Sequence, residues 1–145
     1  MTPTDDFGAA RLWLGDCLDV LPEIGRVSVI ITDPPYEDHM HAAEAGGGRT
    51  MRTDGGKEFD PLDFAEIGDI RARFCAAAVE VCDGWLLAFC TPEGVAPWRD
   101  ALEAAGARYK RACHWIKPDA APQMNGQGPA MAGEMLVAAW CGRGH

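Results

Sequence analysis

The sequence predicts one α/β domain organised around a mostly parallel sheet, and three observations carry that prediction. Two apolar runs, Val27-Ser28-Val29-Ile30-Ile31-Thr32 and Trp85-Leu86-Leu87-Ala88-Phe89-Cys90, have the length and the β-branched or aromatic character of buried strands. Segments of helical apolar spacing alternate with the runs, as they do in βαβ proteins. The 145 residues are one domain's worth of chain, and 48% of them are hydrophobic, enough for a real core.

Taken in order, residues 1–10 read as a loose terminus, and Arg11-Leu12-Trp13-Leu14 as a short strand broken by Gly15-Asp16. Leu18, Leu21 and Ile24 recur at helical spacing up to Gly25, which predicts a short helix with a glycine cap. With the strand 27–33 these pieces form a small βαβ unit, its second strand buried on both faces. From Glu37 to Lys57 the periodicity vanishes, and glycines punctuate a polar stretch. A segment of that kind predicts a mobile loop that orders on a ligand. Asp60-Pro61-Leu62-Asp63 starts a helix, with a cap, a first-turn proline and an acid at the positive end of the dipole. Phe64, Ile67, Ile70, Phe74, Ala78 and Val81 form its apolar stripe, and Gly84 ends it. The strand 85–90 follows, then a turn, and a helix from Pro97 to Gly106 through Trp98 and Leu102. Tyr109 to Ile116 is a half-polar strand that belongs near a sheet edge. A Pro/Gly-rich loop spans 117–133, and Glu134 introduces a last strand, 135–141.

The net charge is −9, and a duplex-binding domain ordinarily carries a basic face. If the chain acts on nucleic acid, its phosphate-gripping part lies elsewhere. No apolar run is long enough to span a membrane, and the acidic start has no signal-peptide pattern, which predicts a cytoplasmic protein. Six cysteines (Cys17, Cys75, Cys82, Cys90, Cys113, Cys141) lie in or beside apolar runs without Cys-x-x-Cys pairs. They read as reduced, buried thiols.

Chemistry concentrates at Asp33-Pro34-Pro35-Tyr36. Prolines lack the N–H a ladder needs, so the strand stops at Asp33, on the carboxyl edge where open α/β sheets bind ligands. An amino group on an aromatic base is a poor nucleophile, because its lone pair is delocalised into the ring. Accepting its two hydrogens on the Asp33 carboxylate and the Pro34 carbonyl draws the nitrogen towards tetrahedral geometry and stabilises the charge that develops there. Tyr36 can stack on the base, a contact worth about 1–3 kcal/mol. That would help offset the few kcal/mol, roughly, needed to extrude a base from a duplex. The plain alternative is a strand-to-loop turn in which Tyr36 packs.

At this point the chain resembles the amino-terminal, catalytic half of an S-adenosylmethionine-dependent DNA amino-methyltransferase of the Asp-Pro-Pro-Tyr type, many of them carried by phages. The resemblance rests on Leu12-Trp13-Leu14-Gly15-Asp16-Cys17-Leu18, then Asp33-Pro34-Pro35-Tyr36, then the glycine-led strand 84–90. His114-Trp115-Ile116-Lys117-Pro118 and the Glu-led strand 134–138 complete it, so that it runs from about Arg11 to Trp140. It implies a Rossmann-like methyltransferase sheet, incomplete because the cofactor half is missing, so that residues 1–145 are a single partial catalytic domain. It also implies methyl transfer from S-adenosyl-L-methionine to the exocyclic amino group of a flipped base in double-stranded DNA, leaning towards adenine-N6 over cytosine-N4.

By the same resemblance Asp33, Pro34, Pro35 and Tyr36 form the target-base motif, and Asp16 contacts the cofactor. Asp16 serves equally well as a helix cap. Lys117 reads as a base or phosphate contact or a solvated strand-end lysine, and Glu134 as an orienting acid or a simple strand start. His39 and His41 lack a third ligand, and methyl transfer from a sulfonium needs no metal. The chain departs from the family in having no glycine-rich cofactor turn after an apolar strand; Gly126-x-Gly128 and Gly46-Gly47-Gly48 both fail that context. The cofactor site is therefore expected to be incomplete, finished by a further carboxyl-terminal portion or a second chain. The competing expectations are a non-catalytic remnant or small-molecule-binding α/β domain, and an enzyme acting on RNA or a protein amide. Relatives of that last kind more often carry Asn at the position of Asp33.

Overall fold

A computed structural model describes residues 3–35, 67–118 and 133–143. The expected loop 37–57, the helix start at residues 60–63, Phe64, the two loop histidines and both glycine clusters lie outside the described residues. The chain opens with a small hairpin, β1 (Asp5–Asp6) and β2 (Arg11–Leu12), paired antiparallel. Gly8 turns it at a φ of 76°, and Thr4 N–H donates to the Leu12 carbonyl at 2.7 Å. The first ten residues are thus partly a strand. Because β2 spends its pairing on β1, it does not join the main sheet, and the expected βαβ unit is absent there.

Next come α1 (Cys17–Val20) and a 3-10 turn over Leu21–Glu23 containing Pro22, released by Gly25 at a φ of 74°. Strand β3 (Val27–Thr32) follows, then α2 (Gly68–Val81), β4 (Cys82–Cys90), α3 (Val95–Ala104), β5 (Arg108–Ile116) and β6 (Gly133–Trp140). Gly106, at a φ of 96°, turns the chain between α3 and β5.

Four strands form the main sheet in the order β3-β4-β6-β5. The β3–β4 pair is parallel, while β6 runs antiparallel to both β4 and β5. Among the described residues the sheet is therefore mixed, with one parallel pairing and two antiparallel ones, and does not show the mostly parallel arrangement expected. A parallel neighbour needs a crossover, which α2 supplies between β3 and β4. The stretch joining β5 to β6 has no helical periodicity, and an antiparallel pair requires no crossover helix. The half-polar strand β5 does lie at an edge, as expected.

The helices cover one face of the sheet. Leu86, Ala88, Cys90, Val137 and Ala139 from that face are fully buried, packed in one core with Phe74, Cys75 and Ala78 of α2 and Trp98 and Leu102 of α3. Phe74 meets Trp98 edge-on at 6.0 Å, a favourable aromatic geometry. On the other face Val29, Ile31, Trp85 and Trp115 are 47%, 66%, 40% and 53% exposed. So β3 is not buried on both faces, contrary to expectation: Ile30 and Thr32 are half-buried towards the helices while Val29 and Ile31 are exposed, because among the described residues it is an edge strand whose alternate residues face away from the helices.

Gly84 belongs to β4 and does not end α2; the helix stops at Val81 because Cys82 turns extended. The ladder shifts register there, Val27 pairing with Cys82 and Val29 with Trp85. A Cβ on Gly84 would stand 2.2 Å from the Ser28 carbonyl oxygen, so only glycine lets β3 approach this closely. At the same end Arg26 grips Asp83 through Nε at 2.6 Å and through Nη2, a clamp between the starts of β3 and β4.

Candidate active site

The carboxyl ends of β3, β4 and β5 lie on one edge of the sheet, together with the start of β6. Thr32 makes the last β3–β4 pair, with Ala88, and Asp33 is the next residue. Pro34 and Pro35 stop the ladder, as their missing N–H groups require. Asp33 and Pro35 are exposed and Pro34 is half-buried, so the carboxylate faces solvent at the end of an anchored strand. Tyr36, the fourth member of the motif, lies outside the described residues.

Beside Asp33, β4 ends in a feature that motif matching missed. Thr91 is buried, with its hydroxyl oxygen accepting from Gly94 N–H at 3.1 Å and its carbonyl accepting from the same N–H at 3.0 Å. It closes the turn that carries the chain into α3. The sequence signal was the polar residue straight after an apolar strand and before Pro92, since threonine favours such turns.

Further along the edge, Lys117 pairs with Glu134, tying the end of β5 to the start of β6. Two residues read separately from the sequence are thus each other's partners. Three inter-strand spacings, roughly 14 Å, separate β3 from β5, so the pair does not share an atom's surroundings with Asp33. Between them an aromatic pair rises on the face turned away from α2 and α3: Phe89 meets Trp115 edge-on at 5.7 Å. Trp115 itself is 53% exposed at this edge.

Asp16 caps α1, its Oδ1 accepting from Leu18 N–H at 2.8 Å. The capping alternative therefore describes what its carboxylate does in this structure. Desolvation and the neighbouring Asp16 carboxylate push the Cys17 thiol up from its ordinary value. All six cysteines are free. Cys17 is exposed, contrary to the expectation of burial, because the four-residue α1 buries none of its own side chains. Burial pushes the Cys75 thiol up to about 12, and Cys141 likewise, with help from neighbouring Cys82. Neither offers a thiolate nucleophile near neutral pH.

Among the described residues no group of three or more His, Cys, Asp or Glu could hold a metal ion. No described helix is long and apolar enough to cross a membrane.

No protein-family model matches the chain, and no curated protein sequence does. Solved structures do. The chain is similar to M1.HpyAVI, with a TM-score of 0.58 at 17% identity, over 88% of this chain and 53% of that one. Against the M1.HpyAVI–SAM complex the TM-score is 0.56 at 18% identity, over 87% and 52%. TTHA0409 from Thermus thermophilus, which carries the provisional name DNA modification methylase, gives 0.57 at 17%, over 90% and 52%. At these identities the likeness is one of fold, and the chain spans about half the length of each of these structures.

Proposed function

We propose that this chain is the base-activating part of an S-adenosylmethionine-dependent DNA methyltransferase that modifies an exocyclic amino group, adenine-N6 in preference to cytosine-N4. The observation that carries the reading is the placement of Asp33-Pro34-Pro35 at the carboxyl end of β3, in a fold shared with a SAM complex and a named DNA modification methylase. In this reading the Asp33 carboxylate and the Pro34 carbonyl accept the two amino hydrogens of a flipped base. The strand below and the prolines beside them hold both acceptors still, so little reorganisation is needed as charge develops on nitrogen. Tyr36 stacks on the ring.

In this reading the methyl donor is seated largely outside these residues. Asp16, the candidate contact, already spends a carboxylate oxygen on the α1 cap, and no glycine-rich turn follows an apolar strand. The chain therefore supplies the acceptor side of the reaction, and the rest of a Rossmann-like methyltransferase sheet supplies the donor side. The net charge of −9 agrees with a division of labour in which another portion grips DNA.

Calorimetry and a radiolabelled methyl-transfer assay test this together. The 145-residue chain alone is expected to show no micromolar affinity for S-adenosylmethionine. A form that does methylate DNA is expected to lose activity on Asp33→Ala. Micromolar binding by the isolated chain would overturn the division of labour; wild-type turnover by the variant would overturn the role of Asp33.

A further inference from the structure

Positive charge is unevenly spread over this acidic chain. From residue 104 to residue 118 there is no Asp or Glu, whereas Arg108, Lys110, Arg111 and Lys117 all fall there, with His114 between them. Most of that stretch is the edge strand β5. A net charge of −9 describes the whole chain, but a polyanion meets the local field.

Some of these cations are already engaged. Arg108 Nη2 donates to the Gly142 carbonyl at 2.9 Å, and Lys117 pairs with Glu134. Elsewhere Arg26 pairs with Asp83 and Arg99 with Asp100. Lys110 and Arg111 are exposed, and none of the described residues gives either of them an acidic partner. The β5–β6 ladder slips register between Tyr109 and Arg111, which makes Lys110 the extra residue of a bulge. Beyond it Arg111, Cys113 and Trp115 alternate onto one face of the strand.

Charges on an edge strand can serve simply to repel other strands. Two features of β5 go beyond that. Its charges are of one sign, and the row ends in exposed Trp115 and Ile116, apolar surface that a purely repellent edge would not carry. Cations interleaved with an aromatic suit single-stranded nucleic acid, whose phosphates meet the cations while a base stacks on the ring. Arg111 and Trp115 are four residues apart, about 13 Å along the strand, a span of roughly four stacked nucleotides.

We propose that β5 is a contact strip for a DNA strand with unpaired bases, in which Lys110 and Arg111 hold phosphates and Trp115 stacks on a base. The end of β5 lies on the same sheet edge as Asp33, roughly 14 Å away. A strand leaving a base pair opened at Asp33 reaches Trp115 within about four nucleotides and continues along β5. That the bound strand flanks the methylated base rests on the proposed function; the affinity of β5 for it does not.

Fluorescence anisotropy of the 145-residue chain with a labelled single-stranded oligonucleotide of about twelve nucleotides, over roughly 25 to 200 mM salt, tests both contacts. Log affinity is expected to fall linearly with log salt. Lys110→Gln and Arg111→Gln are each expected to make that fall shallower by about 0.7, the single-strand value for one phosphate contact. Trp115→Ala is expected to weaken binding about fivefold or more at an unchanged slope, and Trp115→Phe to restore most of the loss. Arg73→Gln, which removes an exposed cation from α2, is expected to change neither quantity. Circular dichroism of all these variants is expected to match the wild type. No binding by the wild type at the lowest salt, slopes at Lys110 and Arg111 that match Arg73→Gln, an indifferent Trp115→Ala, or tighter binding to a duplex of the same sequence each overturn the strip. In an active form, strip variants that bind weakly while Asp33→Ala still methylates leave the strip standing and refute the role of Asp33 alone.

Discussion

Gly84→Ala is the substitution whose effect the structure fixes most tightly. The added Cβ would stand 2.2 Å from the Ser28 carbonyl oxygen, where real Cβ contacts essentially never fall below 3.0 Å. The strands must part by at least 0.8 Å, the difference between 3.0 and 2.2 Å, and the obstacle is backbone, which cannot swing aside like a side chain. Overpacking of this kind costs typically about 1–3 kcal/mol, and a backbone clash belongs at the upper end. Urea unfolding followed by tryptophan fluorescence measures it. Gly133→Ala is the internal control, because its Cβ would meet the Trp115 carbonyl oxygen at the gentler distance of 2.9 Å. Its cost is expected to be the smaller of the two, since a shift of 0.1 Å, the difference between 3.0 and 2.9 Å, relieves it. Displacing β3 also displaces Asp33 at its end, and a misplacement of about 1 Å can lower a rate about a hundredfold. An alanine variant as stable as the wild type, or a costlier Gly133→Ala, would show that the close β3–β4 approach is not what Gly84 provides.

Other outcomes follow from the same contacts. Trp98→Ala, which empties a fully buried site against Phe74, is expected to cost about 3–5 kcal/mol in the same unfolding experiment. Asp16→Ala should cost about 1 kcal/mol and Asp16→Asn much less, since asparagine also caps; equal losses would argue that the cap contributes nothing. With a thiol reagent at about pH 8, just under the ordinary thiol range, exposed Cys17 should react ahead of Cys75, Cys82 and Cys90, which should wait for unfolding. Because burial raises the Cys75 and Cys141 thiols to about 12, the folded state holds their protons more tightly than the unfolded state does. Their contribution is complete below the ordinary thiol value of 9.0 and is lost as pH rises from there towards 12. Replacing Cys75 with alanine should flatten the stability profile over that window.

Most of the elements were legible because their periodicity was strong. The apolar runs gave β3 and β4, and the stripe through Phe74 and Ala78 gave α2. The misreadings have physical causes. A β-branched run looks alike whether both faces are covered or one is, so the exposure of Val29 and Ile31 could not be read from composition. Gly84 sits where a helix cap would, and only the Ser28 carbonyl shows that it serves strand approach. The Asp5–Asp6 pairing was hidden because two-residue strands carry no periodic signal. At the site, Asp33 and the prolines stood out because prolines punctuate a strand. The pairing of Lys117 with Glu134 needed the β5–β6 register, and Thr91 needed the turn it closes.

The central claim is that Asp33 activates an exocyclic amino group. Mass spectrometry of nucleosides from DNA methylated by the assembled enzyme tests it most directly, with wild type and Asp33→Ala compared side by side. The account predicts N6-methyladenine from the wild type and its loss from the variant, by a factor of about a hundred or more. Undiminished methylation by the variant, or 5-methylcytosine as the product, would contradict it.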